Sequence, residues 1–367
     1  MNKFSSFFCF IALISLNANA SQGILNNLKF DKNIKIEIYA SDIDSPRQMT
    51  QGDDERLYVG SRRSGKIFAL KDTDNNGVVD SKELVAENLA FATGLSFYDG
   101  DLYFSEVNKI WKIEDISNKL NQSFGKIPER ILVTDNLPSD EWHGWKWLQH
   151  DHNGKLYTNV GAPCNVCLRD DQRYASILRL NESSWDYVAR GVRNSVGFDF
   201  HPVSKKLFFT DNGRDWLGDD SPSCELNRLD SDGQFFGFPY MHASNVVDPE
   251  FGNLNPGYDF VAPISELGAH VAPTGMIFYT GNLFKEYKNN IFITLHGSWN
   301  RSSKVGYKVI RVVLDDEGNV SEKLDFISGW LKNEKVSGRP AAPFMMQDGS
   351  LLISDDKANL IYRITPK

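Results

Sequence analysis

Long apolar runs are nearly missing from this chain. The one that exists, Phe4 to Leu16, is too short to cross a bilayer as a helix. Blocks of basic residues are missing too. Forty Lys and Arg stand against 48 Asp and Glu for a net charge of -8, with no extended Lys/Arg run. That argues against nucleic acid and acidic lipid as partners. Cysteine is scarce, with only Cys9, Cys164, Cys167 and Cys224. No CxxCH exists to attach a haem, and a lone CxxC without a second pair or nearby histidines is a poor zinc site. Helix-length periodicity is nearly absent, and so are linkers and low-complexity stretches, which leaves one β-rich domain.

The N-terminus reads as an export signal. Lys3 supplies the positive start, Phe4 to Leu16 the apolar segment and Ala18-Asn19-Ala20 the small-residue cleavage site. Residues 1–20 are expected to be removed, leaving a periplasmic or secreted domain over 21–367 without a membrane span. Cys9 leaves with the signal. An oxidising compartment favours a Cys164–Cys167 disulfide, while Cys224 is either free or paired with one of those two.

What the chain does have is a repeat. A Gly/Asp/Asn turn, a Leu-Tyr or Leu-Phe alternation, a polar break and a second short strand recur six times, at 53–72, 94–115, 151–181, 194–230, 274–318 and 343–366. Each unit holds short strands separated by turns, which is the pattern of a propeller blade. Units spaced at about 55 residues exceed the roughly 40–45 of WD40 blades, so the connecting loops are long. The early strand IKIEIYA, 34–40, is expected to complete the sixth blade and fasten the ring. The expected fold is an all-β, six-bladed β-propeller.

In the fourth unit, GVRNSVGFDFHPVSKKLFFTDNGR (191–214), Arg193 and Asn194 precede a hydrophobic hairpin and Asp211 to Arg214 follow it. A hairpin brings both polar ends to one rim. An Arg fork and an amide there suit an anion or a quinone oxygen. A tight turn at Gly213 frees backbone carbonyls for a hard cation. At a similar phase of their units stand His143 with Trp142 and Trp145, His270 and Thr274, His296 with Trp299 and Arg301, and Arg339. A neutral imidazole at pH 7 is an available base. Separately, Asp72 to Glu83 fits the twelve-residue calcium loop. Oxygens fall at Asp72, Asp74, Asn76, Asp80 and Glu83, with Gly77 at the turn position.

Taken in order, EWHGWKWL, VGAPCNVC, GVRNSVGFDFHP, FTDNGRDWLGDD, CELNRL, HVAPTG, HGSWNR and SGRP resemble the soluble glucose/sorbosone dehydrogenase family, most closely its sorbosone dehydrogenase-like branch. Its members are exported six-bladed propellers that use pyrroloquinoline quinone (PQQ) and calcium. The resemblance covers nearly the whole mature chain. It implies an oxidoreductase that takes hydride from C1 of an aldose or sugar aldehyde and hands electrons to an external acceptor. His143 matches the catalytic base, and Arg193 and Asn194 the pair over the quinone, with Asn212 beside them. Gly213 and Arg214 match the carbonyls that hold calcium. Arg301 and Arg339 match basic residues on the PQQ carboxylates, and His270 and Thr274 the stretch lining the cofactor face. Two other expectations compete: a noncatalytic propeller that binds carbohydrate or protein, and a calcium-dependent lactonase.

Overall fold

A computed structural model describes residues 21–182 and 184–367. The expected signal, residues 1–20, lies outside the described residues. Six antiparallel sheets follow one another along the chain and form the blades of a propeller. Blade one comprises Pro46–Gln51, Leu57–Ser61, Ile67–Lys71 and Ser81–Ala86. Blade two comprises Leu95–Tyr98, Asp101–Ser105, Ile110–Ile113 and Ile131–Thr134. Blade three comprises Leu148–His150, Leu156–Val160, Ser176–Asn181 and Ser184–Arg190. Blade four comprises Phe198–Phe200, Leu207–Asp211, Ser223–Arg228 and Ser265–Ala269. Blade five comprises Pro273–Phe278, Ile291–Leu295, Lys308–Leu314 and Val320–Ser328. Blade six comprises Pro340–Met345, Leu351–Asp355 and Leu360–Pro366, and takes its outer strand, Ile34–Ser41, from the other end of the chain.

That outer strand pairs antiparallel with the last one, from Ile34 opposite Pro366 to Ser41 opposite Leu360. Its alternation buries Ile34 and Ile36 in the seam with blade five while Lys35 and Glu37 face water, and a bulge after Ile38 turns Tyr39 into the seam with blade one. Each of the six hydrophobic clusters spans one seam. Phe104 meets Tyr58 between blades one and two, Phe209 meets Ile177 between three and four, and Leu352 meets Leu57 across the closure. The ring therefore has no unsupported blade. A buried Phe or Leu at these seams contributes about 1.5–3 kcal/mol. Near the axis the blades approach so closely that only glycine fits at 197, where a Cβ would lie 1.9 Å from the Thr274 carbonyl oxygen.

Two features were not legible in the repeats. Blade four is interrupted by residues 231–264, which add Gln234–Phe235 in parallel to blade three and form a small ribbon, Met241–His242 with Val246–Val247. Blade two carries a helix, Ile116–Ser123, anchored by buried Ile116 and Leu120. Among the described residues no helix is long and apolar enough to cross a membrane.

Candidate active site

Strands alternate direction within each blade, so connections between blades and loops joining second to third strands emerge on the same rim. Hairpins joining first to second and third to fourth strands emerge on the other. This topology gathers sequence-distant residues around one axial funnel of ≈ 460 Å³. His143, Arg193, Asn194, Asn212, Gly213, His270, Thr274 and Arg339 all line it.

His143 sits in the connection between blades two and three, with a left-handed backbone at φ 55°. Its Nδ1–H donates to the Ala162 carbonyl at 2.7 Å, which leaves the Nε2 lone pair free to accept. The indole Nε1–H of exposed Trp142 reaches Nε2 at a long 3.3 Å. Gly161 makes room for the imidazole, since a Cβ there would lie 2.6 Å from that of His143. Burial, reinforced by the charge of Arg193, pushes the His143 pKa down to about 3, so the ring is neutral. Buried Lys146 donates from Nζ to the Gly144 carbonyl at 2.9 Å and, among the described residues, has no ion-pair partner; burial pushes its pKa down to about 7.

The Asp211 carboxylate accepts the amide N–H groups of Arg193 and Asn194 at 2.7 and 2.6 Å, fixing the loop that opens blade four. Asn212 staples the same corner, donating from Nδ2 to the carbonyls of Asn194 and Pro273, each at 2.9 Å. The Arg193 guanidinium donates to the Asn165 carbonyl (2.8 Å), the Asn165 Oδ1 (2.9 Å) and the Asn212 carbonyl (3.1 Å). Asn165 also exchanges hydrogen bonds with the backbone of Asp215, at 2.8 and 3.1 Å. It lies between the two cysteines, and Cys164–Cys167 form a disulfide that braces this loop. Cys224 is free, buried and on the funnel wall. Sequence reasoning read the CxxC for its sulfurs and missed the residue it holds.

The opposite wall also escaped the sequence. Arg47 and Arg62 line the funnel. Both reach Asp356, Arg47 at 2.9 and 2.7 Å and Arg62 at 3.4 Å, while His296 Nε2–H donates to the same carboxylate at 2.8 Å. Burial opposes ionisation of Asp356, but Arg47, His296 and Arg62 hold its carboxyl far below the usual range. The guanidinium carbons of Arg62 and Arg47 lie 4.6 and 5.6 Å from the centre of the Trp145 ring. Arg339 donates to the carbonyls of His296 (3.0 Å) and Gly297 (2.7 Å). On this wall three guanidiniums stand beside the Asp356 carboxylate, while Arg193, Glu141 and Asp215 line the rest of the funnel. No motif marked Arg47 or Arg62; they flank one hairpin, where Pro46 pairs with Ser61, but their shared partner Asp356 comes from the far end of the chain.

Two sets of expected residues are placed elsewhere. Arg301 is not on the funnel wall; its guanidinium is spent on the carbonyls of Asp219 and Ser303 and on the Asp220 carboxylate. Arg214 buries its side chain against Asp248, which also pairs with His242, so only its backbone is left for a cation. The 72–83 loop joins the third and fourth strands of blade one and lies on the rim away from the funnel. Asp72, Asp74 and Asp80 bring carboxylate oxygens within 4.8 Å of one another. Asn76 instead donates its backbone N–H to Asp72 and Asp74, and Glu83 pairs with Arg56 at 3.3 Å. Glu83 is on a strand, where the pleat and Arg56 turn it out of the expected ligand set. Thr274 and His270 line the funnel but spend hydrogen bonds on the scaffold, Thr274 Oγ1–H donating to the Ala341 carbonyl at 2.7 Å and His270 Nε2–H to the Gly218 carbonyl at 2.8 Å.

Residues 28–366 match the TrAA12-like family, and the chain belongs to it. It is an oxidoreductase on the propeller of the PQQ-dependent sugar dehydrogenases. Among individual proteins, it is 37% identical over 377 residues to an uncharacterized protein of Borreliella burgdorferi, covering 99% of this chain and 97% of that one. Its fold is similar to the holo PQQ domain of pyranose dehydrogenase from Coprinopsis cinerea, with a TM-score of 0.77 at 18% identity over 92% of this chain and 97% of that one. A calcium structure of the Trichoderma reesei family AA12 enzyme superposes with a TM-score of 0.77 at 19% identity, covering 93% and 97% of the two chains. The PQQ-bound aldose sugar dehydrogenase of Streptomyces coelicolor follows at 0.64 and 14% identity, covering 92% and 100%.

Proposed function

We propose that the protein oxidises an aldose or sugar aldehyde at C1, with PQQ and calcium in the funnel and an external acceptor taking the electrons. The observation that carries this reading is the donor chemistry of the funnel wall. Arg47, Arg62 and Arg339 suit the carboxylates of a tricarboxylic quinone, and the carbonyls of Gly213 and Arg214 suit a hard cation.

When bound, the quinone supplies the hydride acceptor and calcium the Lewis acid that polarises it. The chain's own residues do the remainder. His143 Nε2 takes the proton of the C1 hydroxyl, which displaces the loosely held Trp142 indole. Its Nδ1–H stays on Ala162, so the tautomer does not change during the transfer. Arg193 disfavours the resulting imidazolium and promotes loss of the proton to solvent. Held by Asn165 and Asn212, its guanidinium is oriented in advance for negative charge developing in the funnel.

The test is reconstitution of the purified protein with PQQ and Ca²⁺, followed by dye reduction over a panel of aldoses. Turnover of at least one aldose is expected, dependent on both additions. Absence of quinone binding would leave a carbohydrate- or protein-binding propeller. Lactone hydrolysis without quinone would point to a lactonase.

A further inference from the structure

We propose that Trp216 and Trp299 form a sugar-stacking platform at the lip of the funnel, so that the substrate is the reducing end of an oligosaccharide rather than a free monosaccharide. This rests on the sugar-oxidising reading above and extends it outward from the reacting unit. The two indoles are among the most exposed large side chains, at 67% and 70%, and they pack edge to face with centroids 5.8 Å apart. Trp299 is also part of the funnel wall, while Trp216 stands outside it, so the pair continues the funnel onto the surface.

The platform is held rigid although it is exposed. Trp216 adopts a left-handed backbone at φ 70°, a conformation a bulky residue keeps only when its surroundings impose it. The loops that carry the two indoles are laced together on both sides. Asn300 Nδ2 donates to Asp215 Oδ1 at 3.2 Å, and the Ser302 amide donates to Asp219 Oδ1 at 3.0 Å. Arg301 adds its bonds to the Asp219 carbonyl and the Asp220 carboxylate at 3.0 and 2.8 Å. Its role is therefore to fasten the platform, not to grip a cofactor carboxylate.

Two fixed aromatic faces ringed by carboxylates and an amide suit a ligand that presents both C–H faces and hydroxyls, which is a pyranose. An apolar protein surface suits them less, since interface cores are depleted in Asp. Fixing the indoles beforehand lowers the ordering cost of binding.

The experiment has two arms, both with wild type, Trp216→Ala and Trp216→Phe. In the first, apoprotein is titrated calorimetrically with mono-, di- and trisaccharides of glucose and of galactose. In the second, the PQQ- and Ca²⁺-loaded protein is assayed with the same sugars. Lengthening the sugar by one unit is expected to raise affinity and kcat/KM by about three- to tenfold, mainly through KM. Trp216→Ala should abolish that increment without altering monosaccharide turnover, and Trp216→Phe should retain part of it. Equal values across the series, unmoved by Trp216→Ala, would overturn the platform while leaving sugar oxidation intact. A change confined to the KM of the electron acceptor would overturn it too, marking an acceptor dock. Chain-length-dependent binding without oxidation of any sugar would keep the platform and sink the oxidoreductase mechanism instead.

Discussion

The two walls of the funnel are built on different principles. The wall from blades three and four is nearly self-satisfied: His143 and Asn212 spend their hydrogen bonds on carbonyls, and Arg193 spends its guanidinium on carbonyls, on Asn165 and, at 3.5 Å, on the Asp215 carboxylate. The wall from blades six and one concentrates charge, with Arg47, Arg62 and Arg339 around Asp356 and a neutral His296. The first arrangement fixes a proton acceptor and keeps its tautomer constant. The second leaves net positive charge facing the cavity, which is how an anion is held. Position on one side and charge on the other is the division of labour that the proposed reaction needs.

If that division is right, mutations on the two walls should fail differently. His143→Gln should have the largest effect, lowering kcat by about 10²–10⁴-fold with quinone still bound, as seen in steady-state dye reduction. Arg62→Ala should weaken quinone affinity about ten- to hundredfold, measured by fluorescence titration, with kcat at saturating quinone close to wild type. The reverse pattern in either variant would erase the distinction between the walls.

Asn165→Ala probes the brace behind the first wall. We expect kcat to fall about tenfold through a loosened Arg193, with a smaller change in quinone affinity. Asn165→Asp retains the acceptor oxygens and should recover part of the loss, which a mere folding defect would not do. The smallest expected effect concerns pH. Burial and Arg193 both favour neutral His143, with a pKa of about 3, so the acid limb of kcat/KM should lie well below 6.5. Removing the nearby positive charge in Arg193→Gln should move the limb upward. A wild-type limb at 6.5 would mean the imidazole is not held neutral.

The contrast between walls also explains what the sequence disclosed. Blades were legible because alternating strands and Asp/Asn/Gly turns are local signals, and the closure by residues 34–40 followed from an unpaired strand before the first repeat. On the first wall, Arg193-Asn194 and Asp211 to Gly213 flank one hairpin, so their meeting could be inferred from that hairpin alone. Arg47 and Arg62 also flank one hairpin, but Asp356 and His296, which complete their cluster, come from the other end of the chain, and only the closed ring brings them to it. Arg301 misled because it shares a motif with Trp299, yet the loop turns its guanidinium toward Asp219 and Asp220. Glu83 misled because the calcium-loop spacing assumes a continuing helix, whereas the chain here enters a strand.

The most direct test is a spectroscopic titration of the purified apoprotein with PQQ in the presence and absence of Ca²⁺, comparing wild type with Arg62→Ala and His143→Gln. The account predicts calcium-dependent, saturable binding in wild type, similar binding in His143→Gln and weakened binding in Arg62→Ala. No binding in wild type, or binding indifferent to Arg62, would contradict it.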